Sequence, residues 1–181
     1  DDRLIGFFAR YDPQKDHETF VKMASIIKAR IPNAYFVLCG NQIAWNNEKL
    51  VSIISNERMW DCFYLLGIRN DIPRLTASLN LCVSSSTSEA FPLIILEAMA
   101  CGVPCVVTDV GDSGEIVGST GEVVSTKNPN ALANACEKFL LMNKDDFKEK
   151  KILARERVAE YFTLDKMVTQ YERLYYSVLN T

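Results

Sequence analysis

Two glutamates, Glu89 and Glu97, are the residues around which this sequence is organised, and seven residues separate them. Between them Pro92 precedes a run of good helix-forming residues, which Gly102 ends. We therefore place a helix N-terminus at 91–93, where backbone N–H groups lack helix partners. Such an N-terminus binds anions, and carboxylates accept hydrogen bonds from hydroxyl groups.

Two cations, Arg10 and Lys15, follow the first predicted strand in a turn that reads RYDPQKD. Two cations beside a helix N-terminus can bind an anionic group and neutralise its negative charge without a metal. Each charge-assisted hydrogen bond of this kind contributes roughly 1.5 to 3 kcal/mol. By spacing alone the two residues are ordinary surface cations. We infer an anion-binding role for them only because Glu89 and Glu97 follow in the sequence.

The elements that must position these residues alternate between strands and helices. Short apolar runs predict strands at 4–9, 35–39, 63–66, 79–83, 104–108 and 121–124. Apolar residues at helical spacing predict the helices between them, the first capped near Asp16. This alternation is typical of an α/β domain with a doubly wound, parallel, Rossmann-like sheet of about six strands, which binds ligands outside the carboxyl ends of its strands. We expect four turns to share that rim, at 10–15, 40–41, 67–71 and 84–92.

Three helices are predicted after the sheet, at 130–143, at 145–162 and from Thr163 onward. For the second of them we expect an inner stripe of Phe147, Ile152, Val158 and Tyr161. The mixture of acidic and basic residues over 144–157 predicts a solvated helix face. We divide the chain into a Rossmann-like domain, 1–163, and a C-terminal helix, 164–181.

At 181 residues, 48% of them apolar, the chain is long enough for one domain with a substantial core. Its net charge of −3 gives no global basic field, which argues against nucleic acid and anionic membranes as partners. No apolar run reaches membrane-spanning length, and no signal-peptide pattern is present. Six cysteines without a C-x2-C pair and a single histidine predict reduced core thiols and no metal site. We expect a cytoplasmic protein, with any attachment to the inner membrane made through another domain.

The segment 88–104, SEAFPLIILEAMACGVP, resembles the donor-site signature of the retaining, nucleotide-sugar-dependent glycosyltransferases with the GT-B fold, the group 1 glycosyl transferases. The glutamates, the aromatic-Pro pair, E-A-M-A and G-x-P all fall in register. The resemblance covers 4–124 well and the C-terminal helices loosely. It implies the C-terminal half of a GT-B fold, which is the half that binds the nucleotide sugar.

The resemblance implies a role for each candidate residue. Arg10 and Lys15 match a G-R-x4-K pattern whose cations hold the diphosphate, with Ala9 where Gly is common. Glu97 is implied to bind the ribose. Glu89 is implied to face the transferred sugar, either through its hydroxyl groups or through positive charge at the anomeric carbon, and with Arg10 and Lys15 it forms the predicted catalytic set. A further set is implied to meet phosphate or sugar oxygens mainly through its backbone: Phe91, Pro92, Leu93 and Ile94.

Three loops match the family less closely. The stretch 67–71 resembles the G-x-[RK]-x-D segment against which the nucleobase packs, and Arg69 is a predicted donor-binding residue; the alternative is a turn before an Asp-capped helix. Gly40 matches only the first residue of a G-x-G turn. In the loop 111–115, Asp112 stands where a second glycine is common, which makes it a candidate for selecting the sugar.

The residues alone leave structural alternatives open. Glu89 is also compatible with a helix N-cap, and Glu97 with an exposed helical glutamate that interacts with the helix dipole. His17 directly follows the cationic turn, where a base would be convenient, and we interpret it as a first-turn helix residue.

The resemblance implies the donor-binding domain of a retaining glycosyltransferase of glycan biosynthesis, which takes a hexosyl group from a UDP-, GDP- or ADP-sugar and needs no metal or other cofactor. The acceptor, a glycan, lipid or small molecule, is implied to bind an N-terminal domain that this sequence lacks. We therefore expect a part of a longer protein that is inactive alone. Two alternatives stay open, a nucleotide-binding module without catalysis and a related sugar-nucleotide epimerase.

Overall fold

The computed structural model describes residues 2–179, in which one parallel sheet is flanked by helices. The strands are β1 (Arg3–Phe8), β2 (Ala34–Cys39), β3 (Phe63–Leu65), β4 (Leu81–Ser84), β5 (Cys105–Thr108) and β6 (Glu122–Val124). Their order in the sheet is β3-β2-β1-β4-β5-β6, and every neighbouring pair is parallel. This is the strand order of a doubly wound Rossmann-like sheet, so the predicted fold class is confirmed.

Helices cover both faces of this sheet. They are α1 (His17–Arg30), α2 (Glu48–Asn56), α3 (Ile72–Ala77), α4 (Leu93–Ala100), α5 (Ser113–Val117), α6 (Pro129–Leu140), α7 (Lys144–Tyr161) and α8 (Leu164–Leu179). Side chains alternate across each strand, so Phe7 joins the core under α1, α2 and α6, whereas Phe8 joins the core under α4, α5 and α7. Burial on both faces explains why the strands appear in the sequence as continuous apolar runs.

The strand order reverses direction between β1 and β4. Strands β2 and β3 are added outward from β1, and β5 and β6 are added outward from β4 on the other side. The loops after β1 and β4 therefore diverge at their carboxyl ends and leave a crevice, which is where open α/β sheets bind ligands. We call this the switch-point crevice, and its two sides are residues 9–16 and 85–92.

The inner stripe predicted for α7 is wrong at two positions. Ile152 and Tyr161 are 48% and 50% exposed, whereas Ala154 is fully buried. The buried face runs through Phe147, Ala154 and Val158, at intervals of seven and four residues. Ile152 follows Phe147 by five residues, which turns its side chain about 140° away from that face.

The last helix, α8, begins at Leu164 as predicted, and none of its side chains is buried among residues 2–179. Its apolar residues recur at intervals of four and three: Leu164, Val168, Tyr171, Tyr175 and Val178. This is the spacing of a helix face that packs against another element. Within the described residues no helix combines the length and hydrophobicity needed to span a lipid bilayer.

Candidate active site

The loop after β1 holds Lys15 in one orientation. Asp12 accepts a hydrogen bond of 2.9 Å from the backbone N–H of Gln14, at the start of a short 3-10 helix, Pro13–Lys15. Asp16 then adopts a left-handed backbone with φ 48° and caps α1 by accepting hydrogen bonds from its first turn, as predicted. The chain therefore turns sharply on both sides of Lys15.

Lys15 and Glu89 form an ion pair across the switch-point crevice, although they lie 74 positions apart in the sequence. Lys15 Nζ lies 2.5 Å from Glu89 Oε1, and the two side chains are 18% and 13% exposed. The hydroxyl of Ser86 donates a second hydrogen bond, of 2.6 Å, to the same oxygen. Glu89 Oε2 accepts no hydrogen bond from residues 2–179. One carboxylate oxygen is thus fixed, and the other has no partner in the described chain.

Hydroxyl side chains at the ends of β4 and β5 form hydrogen bonds that hold the crevice loops in place. The hydroxyl of Ser85 donates to the carbonyl oxygens of Lys15 and Asp16, both at 3.0 Å. Thr108, at the end of β5, donates to the carbonyl oxygen of Ser86 at 2.5 Å. The sequence predicts only a small-residue loop here, so these positioning residues were missed. The signal that identifies them is hydroxyl side chains placed directly after a buried strand at the reversal of strand order.

Helix α4 begins at Leu93, within the predicted range 91–93, and Pro92 is its N-cap residue. The alternative in which Glu89 is the N-cap is therefore wrong. Ile95 donates the first hydrogen bond of the helix, to the carbonyl oxygen of Pro92 at 3.1 Å. The N–H groups of Leu93 and Ile94 precede it and have no acceptor within the helix. This end of α4 offers backbone donors and a positive dipole end to an anion.

Phe91 and Glu97 flank that helix end. Phe91 is 43% exposed, and its ring lies 6.2 Å from the ring of Phe162, the residue directly after α7. Its side chain therefore points toward the C-terminal end of α7, while its backbone follows the crevice. Glu97 is exposed in the second turn of α4. It lies on the same helix face as Leu93, four residues earlier, which places its carboxylate on the solvent side of the anion-binding end.

Arg10 lies at the exposed entrance of the crevice. Its guanidinium is 60% exposed and donates to Asp12 at 3.1 Å. A hydrogen bond from the N–H of Gln14, together with a smaller contribution from Arg10, lowers the pKa of Asp12. Gly40 has a φ of +150°, and a Cβ at this position would collide with the carbonyl group of Ala9. Glycine is therefore required for β2 to end close against the cationic turn.

The loop after β3 carries Arg69, which the sequence predicts to lie near the nucleobase. Its guanidinium donates two hydrogen bonds to the carboxylate of Asp71, at 2.9 and 3.0 Å, and Arg74 donates a third at 2.8 Å. These bonds, chiefly those from Arg69, lower the pKa of Asp71 to about 2. Asp71 occupies the N-cap position of α3 without a capping hydrogen bond from its side chain. The alternative is therefore right about the position of Asp71 and wrong about its capping hydrogen bond, and Arg69 belongs to a surface ion-pair cluster.

The loop after β5 packs against the backbone of Glu89. Gly111 has a φ of +49°, and a Cβ there would collide with the carbonyl oxygens of Glu89 and Ala90. The N–H of Asp112 donates to the carbonyl oxygen of Ala90 at 2.9 Å. Asp112, the candidate for sugar selection, therefore lies directly against the loop that carries Glu89.

His17 does not contribute to the crevice. It is the first residue of α1, as predicted, and only 3% of it is exposed. Burial, followed by the nearby Lys15 charge, lowers its pKa to about 4, so it is too buried and too weakly basic to act as a base. A cavity of about 870 Å³ lies beside it, between the N-termini of α1 and α2, and neither Lys15 nor Glu89 lines that cavity.

The crevice is lined by charged and polar groups. Among residues 2–179 no group of three or more His, Cys, Asp or Glu side chains could hold a metal ion. Lys15, Glu89 and the N-terminus of α4 come together, with Arg10 and Glu97 at the exposed edge. The ligand atoms that each of them meets stay predictions.

Comparison with known proteins relates the chain to sugar-transferring enzymes. The profile of the family described as Glycosyl transferases group 1 matches residues 2–142. N-acetyl-alpha-D-glucosaminyl L-malate synthase of Bacillus anthracis is 35% identical over 132 residues, which cover 72% of this chain and 34% of that protein.

Solved structures share the fold. Anabaena HepE in complex with UDP-glucose matches with a TM-score of 0.83 and 24% identity, over 98% of this chain and 49% of that chain. The C-terminal domain of LpcC from Francisella tularensis, a glycosyl transferase group 1 family protein, matches with a TM-score of 0.78 and 21% identity, over 90% of this chain and 87% of that chain. The chain therefore spans about a third to a half of the longer relatives.

Proposed function

The chain belongs to the group 1 glycosyltransferase family and has the fold of the C-terminal domain of GT-B enzymes; we propose that it is the donor-binding half of a retaining hexosyltransferase. The substrate bound by this half is a nucleoside-diphosphate sugar. The observation that carries the proposal is the Lys15–Glu89 ion pair beside the open N-terminus of α4. A cation, a carboxylate and free N–H groups at one crevice match the diphosphate and the sugar of such a substrate.

The diphosphate is bound by Lys15, Arg10 and the N–H groups of Leu93 and Ile94. A lysine ammonium has three N–H donors, so Lys15 can keep its hydrogen bond to Glu89 while it donates to a phosphate oxygen. Arg10 donates to Asp12 through Nε only, which leaves its terminal nitrogens for a second phosphate oxygen. Together these groups neutralise the diphosphate as it leaves, and we propose that no metal takes part.

The two carboxylates bind the sugars of the substrate. Glu89 Oε1 is held by Lys15 and Ser86, and Oε2 accepts a hydrogen bond from a hydroxyl group of the transferred hexose. Glu97, one helical turn into α4, accepts hydrogen bonds from the ribose diol. Asp112 lies against the Glu89 loop and contributes to the choice of hexose.

The acceptor binds the half of the enzyme that this chain does not span, so we expect the chain alone to have negligible transferase activity. The apolar face of α8, from Leu164 to Val178, packs against that half. This division assigns nucleotide-sugar binding to 1–163 and docking to 164–181. All six cysteines are free thiols, which is the state that a reducing compartment maintains, and we propose the cytoplasm as the place of reaction.

The proposal is tested by calorimetric titration of the 181-residue chain with UDP, GDP and ADP in the presence of EDTA. HepE was solved with UDP-glucose, so UDP is the first nucleotide to test. We expect one nucleotide to bind selectively. Lys15→Met and Glu97→Gln should each weaken binding about 10- to 150-fold, because each removes hydrogen bonds of roughly 1.5 to 3 kcal/mol between charged groups and the ligand.

Lys22→Met is the matched control. Lys22 lies on α1, pairs with Glu18 at 2.6 Å and is 48% exposed, so its loss removes a lysine charge away from the crevice. Circular dichroism establishes that each variant is folded. The proposal is contradicted if the folded wild-type chain binds none of the three nucleotides, or if Lys15→Met binds as tightly as Lys22→Met.

A further inference from the structure

A cleft of about 470 Å³ lies between the end of α4 and the first half of α7. Helix α4 has eight residues, so this cleft is about 12 Å along the helix from the switch-point crevice. Among the described residues its lining contains four cations and no acidic residue. The cations are Lys144, Lys148, Lys151 and Arg155, and Phe147 and Ile152 supply apolar walls.

The four cations of this cleft have no anionic partner in residues 2–179. None of them forms an ion pair in the described chain, and none of their side chains donates a hydrogen bond there. Two other cations of α7 behave differently. Lys150 donates to the carbonyl oxygen of Ser119 at 3.2 Å, and Arg157 donates to the carbonyl oxygen of Ile116 at 2.8 Å.

The charges of α7 are sorted by face. The four cations recur at intervals of four, three and four residues, which keeps them on one stripe about 16 Å long. Four acidic residues of the helix lie about 110 to 170° from the middle of that stripe: Asp146, Glu149, Glu156 and Glu160. Asp145 lies about 90° from the middle and three residues before Lys148, but the two form no ion pair among residues 2–179. Neighbours at i and i+1 do not face each other, whereas like charges at i and i+4 repel. The helix therefore does not neutralise its own stripe.

The end of α4 accounts for only part of this positive charge. The C-terminus of a helix attracts cations, but only those near its last turn. For α4 that turn is about 5 Å long, whereas the four cations of α7 extend over about 16 Å. The final carbonyl groups of α4 also have backbone partners. The N–H of Gly102 donates to Met99 at 2.8 Å, and the N–H of Val103 donates to Ala98 at 2.9 Å.

We propose that this cleft, which we call the α7 cleft, binds a phosphate-bearing ligand. A phosphate group presents several acceptor oxygens and up to about two negative charges, so it can accept hydrogen bonds from Arg155 and from more than one lysine at once. Phe147 and Ile152 contact the part of the ligand that carries the phosphate. The source is either a soluble phosphoester or the headgroup of a phospholipid, which share this chemistry. The inference does not depend on the function proposed for the crevice.

The test is a titration of the ¹⁵N-labelled chain with inorganic phosphate at constant ionic strength, followed by amide NMR. We expect saturable shifts at Gly102, Lys148 and Lys151. The amides of Leu93 and Ile94 report on the switch-point crevice in the same spectra. The titration therefore shows separately whether phosphate binds the crevice and whether it binds the α7 cleft.

Combined replacement Lys148→Gln and Lys151→Gln should weaken phosphate binding at the α7 cleft by more than about tenfold, because it removes two charge-assisted donors. Lys150→Gln is the matched control, since it removes a lysine of the same helix that lies outside the cleft. It should bind phosphate as the wild-type chain does.

Two further probes identify the source of the phosphate. Glycerol 3-phosphate represents a soluble phosphoester, and cosedimentation with phosphatidylcholine vesicles, with and without phosphatidylglycerol, represents a headgroup. Binding of either probe that the double variant weakens and Lys150→Gln preserves supports the proposal and names the source. The proposal is overturned if neither inorganic phosphate nor glycerol 3-phosphate shifts the cleft amides and the vesicles do not bind, or if the double variant binds as tightly as the control.

Discussion

The protonation of His17 should make this protein less stable at acid pH. Its ring lies 4.9 Å from the ring of Phe7 and 5.2 Å from the ring of Tyr11, and neither ring nitrogen has a hydrogen-bond partner among residues 2–179. Burial lowers its pKa from 6.5 to about 4. Because the folded pKa is the lower one, the unfolded chain takes up the proton first as the pH falls. The free energy of unfolding therefore decreases as the pH falls from about 6.5 to about 4.

The magnitude follows from the two pKa values. Proton uptake by the unfolded chain lowers the free energy of unfolding by about 2.5 kcal/mol between pH 7.5 and pH 4.5. Urea unfolding of the wild-type chain and of His17→Gln at intervals across this range measures the effect. Other groups titrate in both proteins, and the chain has one histidine, so the difference between the two curves isolates His17.

We expect the wild-type chain to lose about 2.5 kcal/mol more than His17→Gln over this range. The prediction is wrong if the plots of unfolding free energy against pH for the two proteins stay parallel to within about 0.5 kcal/mol. That result would mean that the folded protein solvates the protonated ring of His17. The single histidine also gives a direct measurement, since its ring proton signal should titrate with a pKa of about 4 in the folded chain.

Three further predictions concern the crevice and its rim. Gly111→Ala should lower the free energy of unfolding, measured with urea, by about 1 to 3 kcal/mol, because a Cβ at a φ of +49° meets the carbonyl oxygen of Glu89. Ser86→Ala should weaken calorimetric binding of the nucleotide sugar more than that of its nucleoside diphosphate, because only the sugar contacts the carboxylate that Ser86 orients. Arg69→Ala should raise the pKa of Asp71, measured by carbon NMR, from about 2 toward 3.8; an unchanged value would mean that Arg74 alone holds it.

The order of secondary structure could be predicted because each strand is a short apolar run followed by turn residues. The largest difference in where a strand begins is at β4, where the sequence predicts Leu79 and the structure begins at Leu81. The N–H of Leu79 donates to the carbonyl oxygen of Thr76 at 2.9 Å, so this apolar residue closes the turn after α3. Hydrophobicity alone does not distinguish a residue that ends a helix turn from one that begins a buried strand.

The residues of the candidate site could be predicted, but their partners could not. The signature identifies Lys15 and Glu89 separately, whereas their contact depends on β1 lying beside β4 in the sheet. Contacts between residues close in the sequence can be equally hard to predict. Arg69 and Asp71 lie two positions apart in a loop and form a bidentate ion pair that no spacing rule specifies. Loop side chains are set by local backbone angles, and these depend on packing from elsewhere in the chain.

The Lys15–Glu89 pair makes one binding effect non-additive. Lys15→Met removes a phosphate ligand and also leaves the carboxylate of Glu89, 13% exposed, without its cation and facing a ligand with more than two negative charges. Adding Glu89→Gln removes that repulsion, so the double variant should bind the nucleoside diphosphate more tightly than Lys15→Met alone, by about 0.5 to 3 kcal/mol. Calorimetry on the wild-type chain, both single variants and the double variant completes the cycle. If the two effects simply add, Glu89 does not face the phosphates, and the ion pair serves only to hold the two loops together.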